Sequence, residues 1–210
     1  MTTPSATGTT TVTGHDGRRV SLERTTRETT IALTLDLDGT GRAEIATGIG
    51  FYDHLLGSLC HHGLFDLEIR ATGDLEVDEH HTVEDVALVL GSAFAAALGD
   101  RAGIVRFGDA RVPMDESLAG AVVDLGGRPY AVIDLPFRAD RAGQLPLQLV
   151  EHALEAFART AGATVHVAGT GRNDHHLAEA AFKALGRALR AASAPDLRRV
   201  GVASTKGSLG

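Results

Sequence analysis

The sequence predicts an α+β fold made of two fused ββαβα halves, and two observations carry that expectation. One order of strand-like and helix-like segments runs twice along the chain. A lone histidine followed by a His-His-x-x-Glu string also occurs once in each pass, His54 with His80-His81-x-x-Glu84 and His152 with His175-His176-x-x-Glu179. A repeat of both elements and side-chain types is the mark of internal duplication.

The first pass opens at residues 30–36, Thr-Ile-Ala-Leu-Thr-Leu-Asp, whose apolar–polar alternation reads as a half-buried strand. Asp38-Gly39-Thr40-Gly41 is a turn, and residues 42–46 are expected to return as its hairpin partner. Residues 51–60 have helical spacing, residues 64–71 read as a strand, and residues 82–98 form a long apolar-rich helix stopped by Gly99-Asp100. The second pass begins near Met114. Residues 118–125 read as a strand, Gly126-Gly127 as a turn into residues 130–135, residues 147–159 as a helix, 164–168 as a strand and 175–192 as a second long helix. The expected divisions are a flexible, Thr-rich leader over residues 1–20, a first half over 21–108 and a second over 109–210, with the boundary around Asp109 and a Ser-Thr-Lys tail at the end.

Composition narrows the function classes. With 210 residues, 43% hydrophobic and 22% charged, the chain can bury a sizeable core. No run of eighteen apolar residues suggests a membrane span, and the leader lacks the apolar middle of a secretory signal. A single cysteine, Cys60, excludes an intramolecular disulfide framework and fits a reducing, cytoplasmic setting. A formal charge of −7 argues against a nucleic-acid partner, although small anions can still be held by a local basic cluster.

The repeated histidines read as metal ligands. On a helix, residues three or four apart share a face, so each Glu sits near both histidines of its string. Adjacent histidines point about 100° apart, so each pair suits two ions rather than one. His54, His80, His81, His152, His175 and His176 with Glu84 and Glu179 supply six imidazoles and two carboxylates, enough for two sites with open positions. Imidazole with carboxylate suits Mn, Fe, Zn or Ni, and the absence of thiolate argues against a structural zinc site. His61 and His62, at a helix end, read as capping or surface residues. His166, in mid-strand, and His15, in the leader, carry no expected role.

Several strings are similar to one family. They are Phe51-Tyr52-Asp53-His54-Leu55-Leu56, His62-Gly63-Leu64-Phe65-Asp66-Leu67, Gly73-Asp74-Leu75, His80-His81-Thr82-Val83-Glu84-Asp85 and Gly99-Asp100-Arg101. Pro113-Met114-Asp115-Glu116, Asp124-Leu125-Gly126-Gly127-Arg128-Pro129-Tyr130, the helix from His175-His176 to Phe182-Lys183-Ala184, and Ser204-Thr205-Lys206-Gly207 complete the set. From about Arg24 onward the chain resembles imidazoleglycerol-phosphate dehydratases. The resemblance implies four-stranded sheets with helices on one face, a homo-oligomeric 24-subunit shell with active sites at subunit contacts, and two Mn²⁺ per site. It also implies a reaction of histidine biosynthesis, the dehydration of imidazoleglycerol phosphate to imidazoleacetol phosphate. The eight residues above carry over as metal ligands, with His80, Glu84, His175 and Glu179 serving catalysis and His54 also facing substrate. Glu28 carries over as the substrate-side proton-transfer carboxylate, and Arg106, Arg128, Lys183, Ser204, Thr205 and Lys206 as phosphate contacts. Residues 140–146 are shorter and less patterned than the family leads one to expect, and the Thr-rich leader has no counterpart.

Two other chemistries share features with the sequence. Paired His–carboxylate sites also serve dinuclear metal hydrolases, and His-rich contacts can hold together a non-catalytic metal-binding shell. Asp36-Leu37-Asp38-Gly39-Thr40 resembles the nucleophile motif of haloacid-dehalogenase-type phosphatases, but no doubly wound pattern follows it, and it reads as a turn.

Overall fold

A computed structural model describes residues 8–209. Its first sheet contains β1 (Thr10–Asp16), β2 (Arg19–Thr25), β3 (Thr29–Asp36), β4 (Ala43–Ala46) and β5 (Asp66–Gly73), in the order β1-β2-β3-β5-β4. Helices α1 (Gly50–Gly63) and α2 (His80–Leu98) belong to the same half. The second sheet contains β6 (Phe107–Met114), β7 (Ser117–Asp124), β8 (Tyr130–Asp134) and β11 (Thr164–Thr170), in the order β6-β7-β11-β8. Its helices are α3 (Gln148–Ala161) and α4 (Asp174–Ser193), and a two-stranded hairpin, β9 (Arg141–Ala142) with β10 (Leu145–Pro146), lies between β8 and α3.

Each half is thus an α+β unit with helices on one face of a mixed sheet, and the helical layers face each other. Helix α2 packs on α3 and α1 on α4, while α2 lies against β2, β3 and β5, and α4 against β6 and β7. The alternation in β3 turns Thr29, Ile31, Leu33 and Leu35 inward, toward Val83, Val86, Leu90 and Phe94 of α2 within one continuous core. Helix α2 is long and apolar enough to cross a membrane, but its apolar surface is spent on this core, where most of it is buried.

Four expectations change. The first half opens with two strands more than ββαβα, β1 and β2 before β3, so its sheet has five strands rather than four, and the second half opens with one more, β6 before β7. Helix α4 explains why β6 is quiet in the sequence. Its inward positions include Gly108, where a Cβ would come 2.1 Å from the Ala188 carbonyl oxygen, so close approach replaces hydrophobic periodicity. Pro113 weakens the strand signal further. The boundary near Asp109 therefore falls inside β6, and the halves divide in the segment between Leu98 and Phe107. The leader is not flexible throughout, because residues 10–16 form β1 and pair antiparallel with β2; residues 1–7 lie outside the described residues.

The fourth change concerns residues 42–46. They are no hairpin partner of β3 but β4, which runs parallel to β5, with β5 inserted between β3 and β4. The turn before it is fixed by Asp66 instead. That carboxylate accepts from the Thr40 and Arg42 amides at 2.7 and 3.0 Å and pairs with the Arg42 guanidinium at 2.9 Å. Burial pushes the Asp66 carboxyl up, but the Arg42 and Thr40 amides and the Arg42 charge hold it well below the usual range. Asp38 serves this turn, with its amide bonded to the Asp36 side chain at 2.9 Å.

Candidate metal centres and an anion cleft

The helix pairing brings together ligands that are far apart in sequence. His54 on α1 meets His175 and Glu179 on α4, and His152 on α3 meets His80 and Glu84 on α2. In each trio the candidate ligand atoms lie within 4.8 Å of one another. His54 Nε2 is 2.8 Å and His175 Nε2 3.2 Å from Glu179 Oε2. His152 Nε2 and His80 Nε2 stand 3.6 and 3.9 Å from the Glu84 carboxylate. The two trios are built alike: a lone histidine from one helix faces a His-x-x-x-Glu pair from another.

The histidine of each pair sits in the first turn of its helix, where side chains meet the free amides of the helix start. The Asn173 side chain accepts from the His175 and His176 amides at 3.0 and 3.4 Å, and the Asp78 carboxylate accepts from the His80 amide at 2.8 Å. Neighbouring rings stand edge to face, with planes crossing at 83° for His80–His81 and 86° for His175–His176 and centroids 6.0 and 6.1 Å apart. His81 and His176 lie outside the two trios. His81 Nδ1 hydrogen bonds the Asp74 carboxylate at 3.0 Å, and His176 Nδ1 the Glu116 carboxylate at 3.1 Å.

Electrostatics keep the carboxylates ionised. Burial raises the Glu179 pKa, but the hydrogen bonds and charges of His54 and Lys183 overcome it and hold the group at about 2. Glu84 is likewise pushed up by burial and pulled below its usual range by Arg159, whose Nη2 lies 2.9 Å away, and by His152 and His80. The Asp74 hydrogen bond raises the pKa of His81 above the usual imidazole value. His152 Nε2 is buried without a hydrogen-bond partner. An unmet buried donor or acceptor is unfavourable unless something else satisfies it. Imidazole and carboxylate with open positions suit a divalent cation of the Mn, Fe, Zn or Ni kind, so the residues present fit a metal.

Glu28 occupies the β2–β3 turn, is exposed, and its carboxylate lies 3.9 Å from His81 Nε2. The turn is held from two sides. Thr26 Oγ1 accepts from the Glu28 and Thr29 amides at 3.1 and 2.9 Å, and Arg24 pairs with the largely buried Asp85 of α2 at 2.8 Å. Asp85 adjoins Glu84, so this ion pair ties the turn to the helix that carries the ligands.

The expected phosphate contacts divide. Arg106, Arg128, Ser204, Thr205 and Lys206 line one cleft of about 370 Å³ that shares no lining residue with either trio. Within it Arg106 is already committed, with two bonds to Asp124 at 2.6 and 2.9 Å and one to the Ala203 carbonyl at 2.6 Å. It shapes the cleft by pinning the C-terminal segment, whereas Arg128, 68% exposed and 4.0 Å from Asp124, keeps its fork free. Lys183 is elsewhere, 2.7 Å from Glu179 Oε1 beside the first trio. Within a single chain, then, Lys183 is not among the residues that line the cleft.

Sequence reasoning gave no role to Asp74, Glu116 or Arg159, each of which touches a candidate ligand. For Glu116 a signal exists in the repeat: it immediately precedes β7 as Glu28 immediately precedes β3. That correspondence becomes visible only once the leading strands β2 and β6 are recognised.

A family model described as imidazoleglycerol-phosphate dehydratase matches residues 47–189, a span that includes both trios. Curated relatives of that name include one from Methanoculleus marisnigri, 55% identical over 91% of this chain and 100% of that protein, and one from Streptomyces coelicolor, 53% identical over 90% and 97%. Among solved structures, IGPD from Pyrococcus furiosus superposes with a TM-score of 0.78 at 37% identity, covering 89% of this chain and 99% of that one. The imidazoleglycerol-phosphate dehydratase from Staphylococcus aureus gives 0.73 at 35% identity, covering 79% and 94%. With identity this high over nearly the whole length, the chain belongs to the imidazoleglycerol-phosphate dehydratase family.

Proposed function

We propose that this hydro-lyase dehydrates imidazoleglycerol phosphate to imidazoleacetol phosphate, a step of histidine biosynthesis, with two divalent cations, Mn²⁺ in the first instance, per active site. The observation that carries the metal part is the pair of matching trios, one of which contains the buried, unpartnered His152 Nε2. His54, His175 and Glu179 would hold one ion, and His80, Glu84 and His152 the other. Bound there, a divalent cation supplies Lewis acidity that makes an imidazole ring easier to deprotonate.

The proton removed in this dehydration lies on a carbon with no neighbouring carbonyl, so a well-placed base is needed. Glu28 is the candidate: exposed, ionisable, on a braced turn, and beside His81. Arg128 and Lys206, with the Ser204 and Thr205 hydroxyls, suit a phosphate monoester, because a guanidinium fork and an ammonium match its oxygens. Lys183 neutralises Glu179 and keeps that carboxylate oriented toward His54 and His175.

Three ligands per ion leave each trio short, while His81 and His176 face away from both. This supports sites completed between copies of the chain, as in a 24-subunit shell. The single buried thiol, Cys60, is in keeping with a cytoplasmic setting.

Two measurements test this reading. Elemental analysis of protein dialysed against Mn²⁺ is expected to find two ions per chain; none retained would remove the metal part. A Glu28→Gln enzyme is expected to keep both ions and lose about 10²–10⁴-fold in kcat, the usual worth of a positioned proton-transfer group. Full turnover with both ions bound would take Glu28 out of the mechanism.

A further inference from the structure

Glu116 does more for His176 than accept one hydrogen bond. Its Oε2 lies 3.1 Å from His176 Nδ1, while its Oε1 is taken by three donors: the Asn173 amide at 2.8 Å, the Ser117 hydroxyl at 3.0 Å and the Arg172 amide at 3.2 Å. Two of these are backbone N–H groups from the loop that enters α4, so the carboxylate cannot rotate without leaving them unpaired. An ionised carboxylate only accepts, so the proton on Nδ1 must belong to the histidine. In the neutral ring Nε2 is then the unprotonated nitrogen and bears the lone pair, on the ring edge opposite Glu116, where it has no protein partner among the described residues.

We infer that Glu116 is a positioning residue that fixes His176 in its Nδ1–H tautomer and so makes Nε2 the metal-binding atom. This rests on the reading of His176 as a metal ligand. Asp74 stands in the same relation to His81, but with a difference that makes the inference testable. Both Asp74 oxygens face His81 Nδ1, at 3.0 and 3.2 Å, and no other side-chain or backbone donor holds them among the described residues.

The two carboxylates should therefore respond oppositely to amide substitution. In Asp74→Asn the amide can turn its oxygen toward Nδ1–H and keep the tautomer. In Glu116→Gln the three donors pin the amide oxygen at the Oε1 position. The new NH₂ then faces Nδ1, which must accept, and the ring proton moves to Nε2, where it blocks coordination. Glu116→Gln is accordingly more harmful than Glu116→Ala, which leaves the ring free to choose its tautomer.

The test is Mn²⁺ binding by titration calorimetry to metal-stripped wild-type, Glu116→Gln, Glu116→Ala and Asp74→Asn proteins, with circular dichroism to confirm folding. The expected result is a 10–100-fold loss of affinity at one ion per chain in Glu116→Gln, a smaller loss in Glu116→Ala and a change of no more than a few-fold in Asp74→Asn. Equal losses for Gln and Ala at position 116, or wild-type affinity in Glu116→Gln, would overturn the tautomer assignment. Failure of the wild-type protein itself to bind Mn²⁺ would overturn the underlying metal reading instead.

Discussion

Replacing Glu179 with alanine is expected to bring the Mn²⁺ content from two ions per chain to one and to lower kcat/KM by about 10³-fold or more, the several kcal/mol that a bound cation supplies to such a reaction. The carboxylate is the hub of its trio, with His54 and His175 on one oxygen at 2.8 and 3.2 Å and Lys183 on the other at 2.7 Å. Without it, the Lys183 ammonium, 18% exposed, keeps the Met114 sulfur as a neighbour and has no counter-charge. Stranding a largely buried charge is destabilising by about 3–5 kcal/mol, so the melting temperature should fall as well. Met114 in place of an anion offers little compensation. The check is elemental analysis alongside turnover, with the folded fraction measured by circular dichroism. A folded variant that still held two ions would mean that Glu179 is no ligand.

Adding one methyl group at Gly186 is expected to lower stability by about 3 kcal/mol or more, the upper range for overpacking, and so lower Tm by roughly 6–12 °C for a chain of this size. Here α4 crosses α1 backbone to backbone. A Cβ on Gly186 would stand 2.2 Å from the Leu59 carbonyl oxygen and 3.2 Å from the Gly63 amide nitrogen. No rotamer change relieves that contact; the helices must part. Since His54 rides on α1, and His175 and Glu179 on α4, parting them opens the trio, and Mn²⁺ affinity should fall along with Tm. Gly57, also on α1, meets nothing within 4 Å, and Gly57→Ala should leave Tm unchanged or raise it slightly. Differential scanning of both variants, each with and without Mn²⁺, decides the matter. Equal melting temperatures would contradict the close crossing.

The two trios were legible because helical spacing and the internal repeat both leave traces in sequence. The i,i+4 spacing of His80 with Glu84 and of His175 with Glu179 put each pair on one face, and the repeat tied a lone histidine to each. What helical spacing could not supply was the pairing between elements: nothing local says that His54 joins α4 of the other half while His152 joins α2. That choice is made by the packing of α1 on α4 and α2 on α3, which depends on close approaches at residues such as Gly186 and Gly91. Strand β6 escaped for a related reason, since its inward Gly108 gives up apolar bulk so that α4 can come close. The carboxylates Asp74 and Glu116 were hidden because they act through loop geometry. Arg106, expected among the phosphate contacts, lines the cleft and also clasps Asp124 to the C-terminal segment. A guanidinium's partner is rarely written in its own neighbourhood of the sequence.

If two divalent cations held by the His–Glu trios enable the dehydration, an assay of imidazoleglycerol phosphate turnover on chelator-stripped protein, before and after adding Mn²⁺, reads it out. The stripped protein is expected to show no turnover, with activity returning as the second ion per chain is bound. Undiminished turnover in protein shown to be free of metal would contradict it.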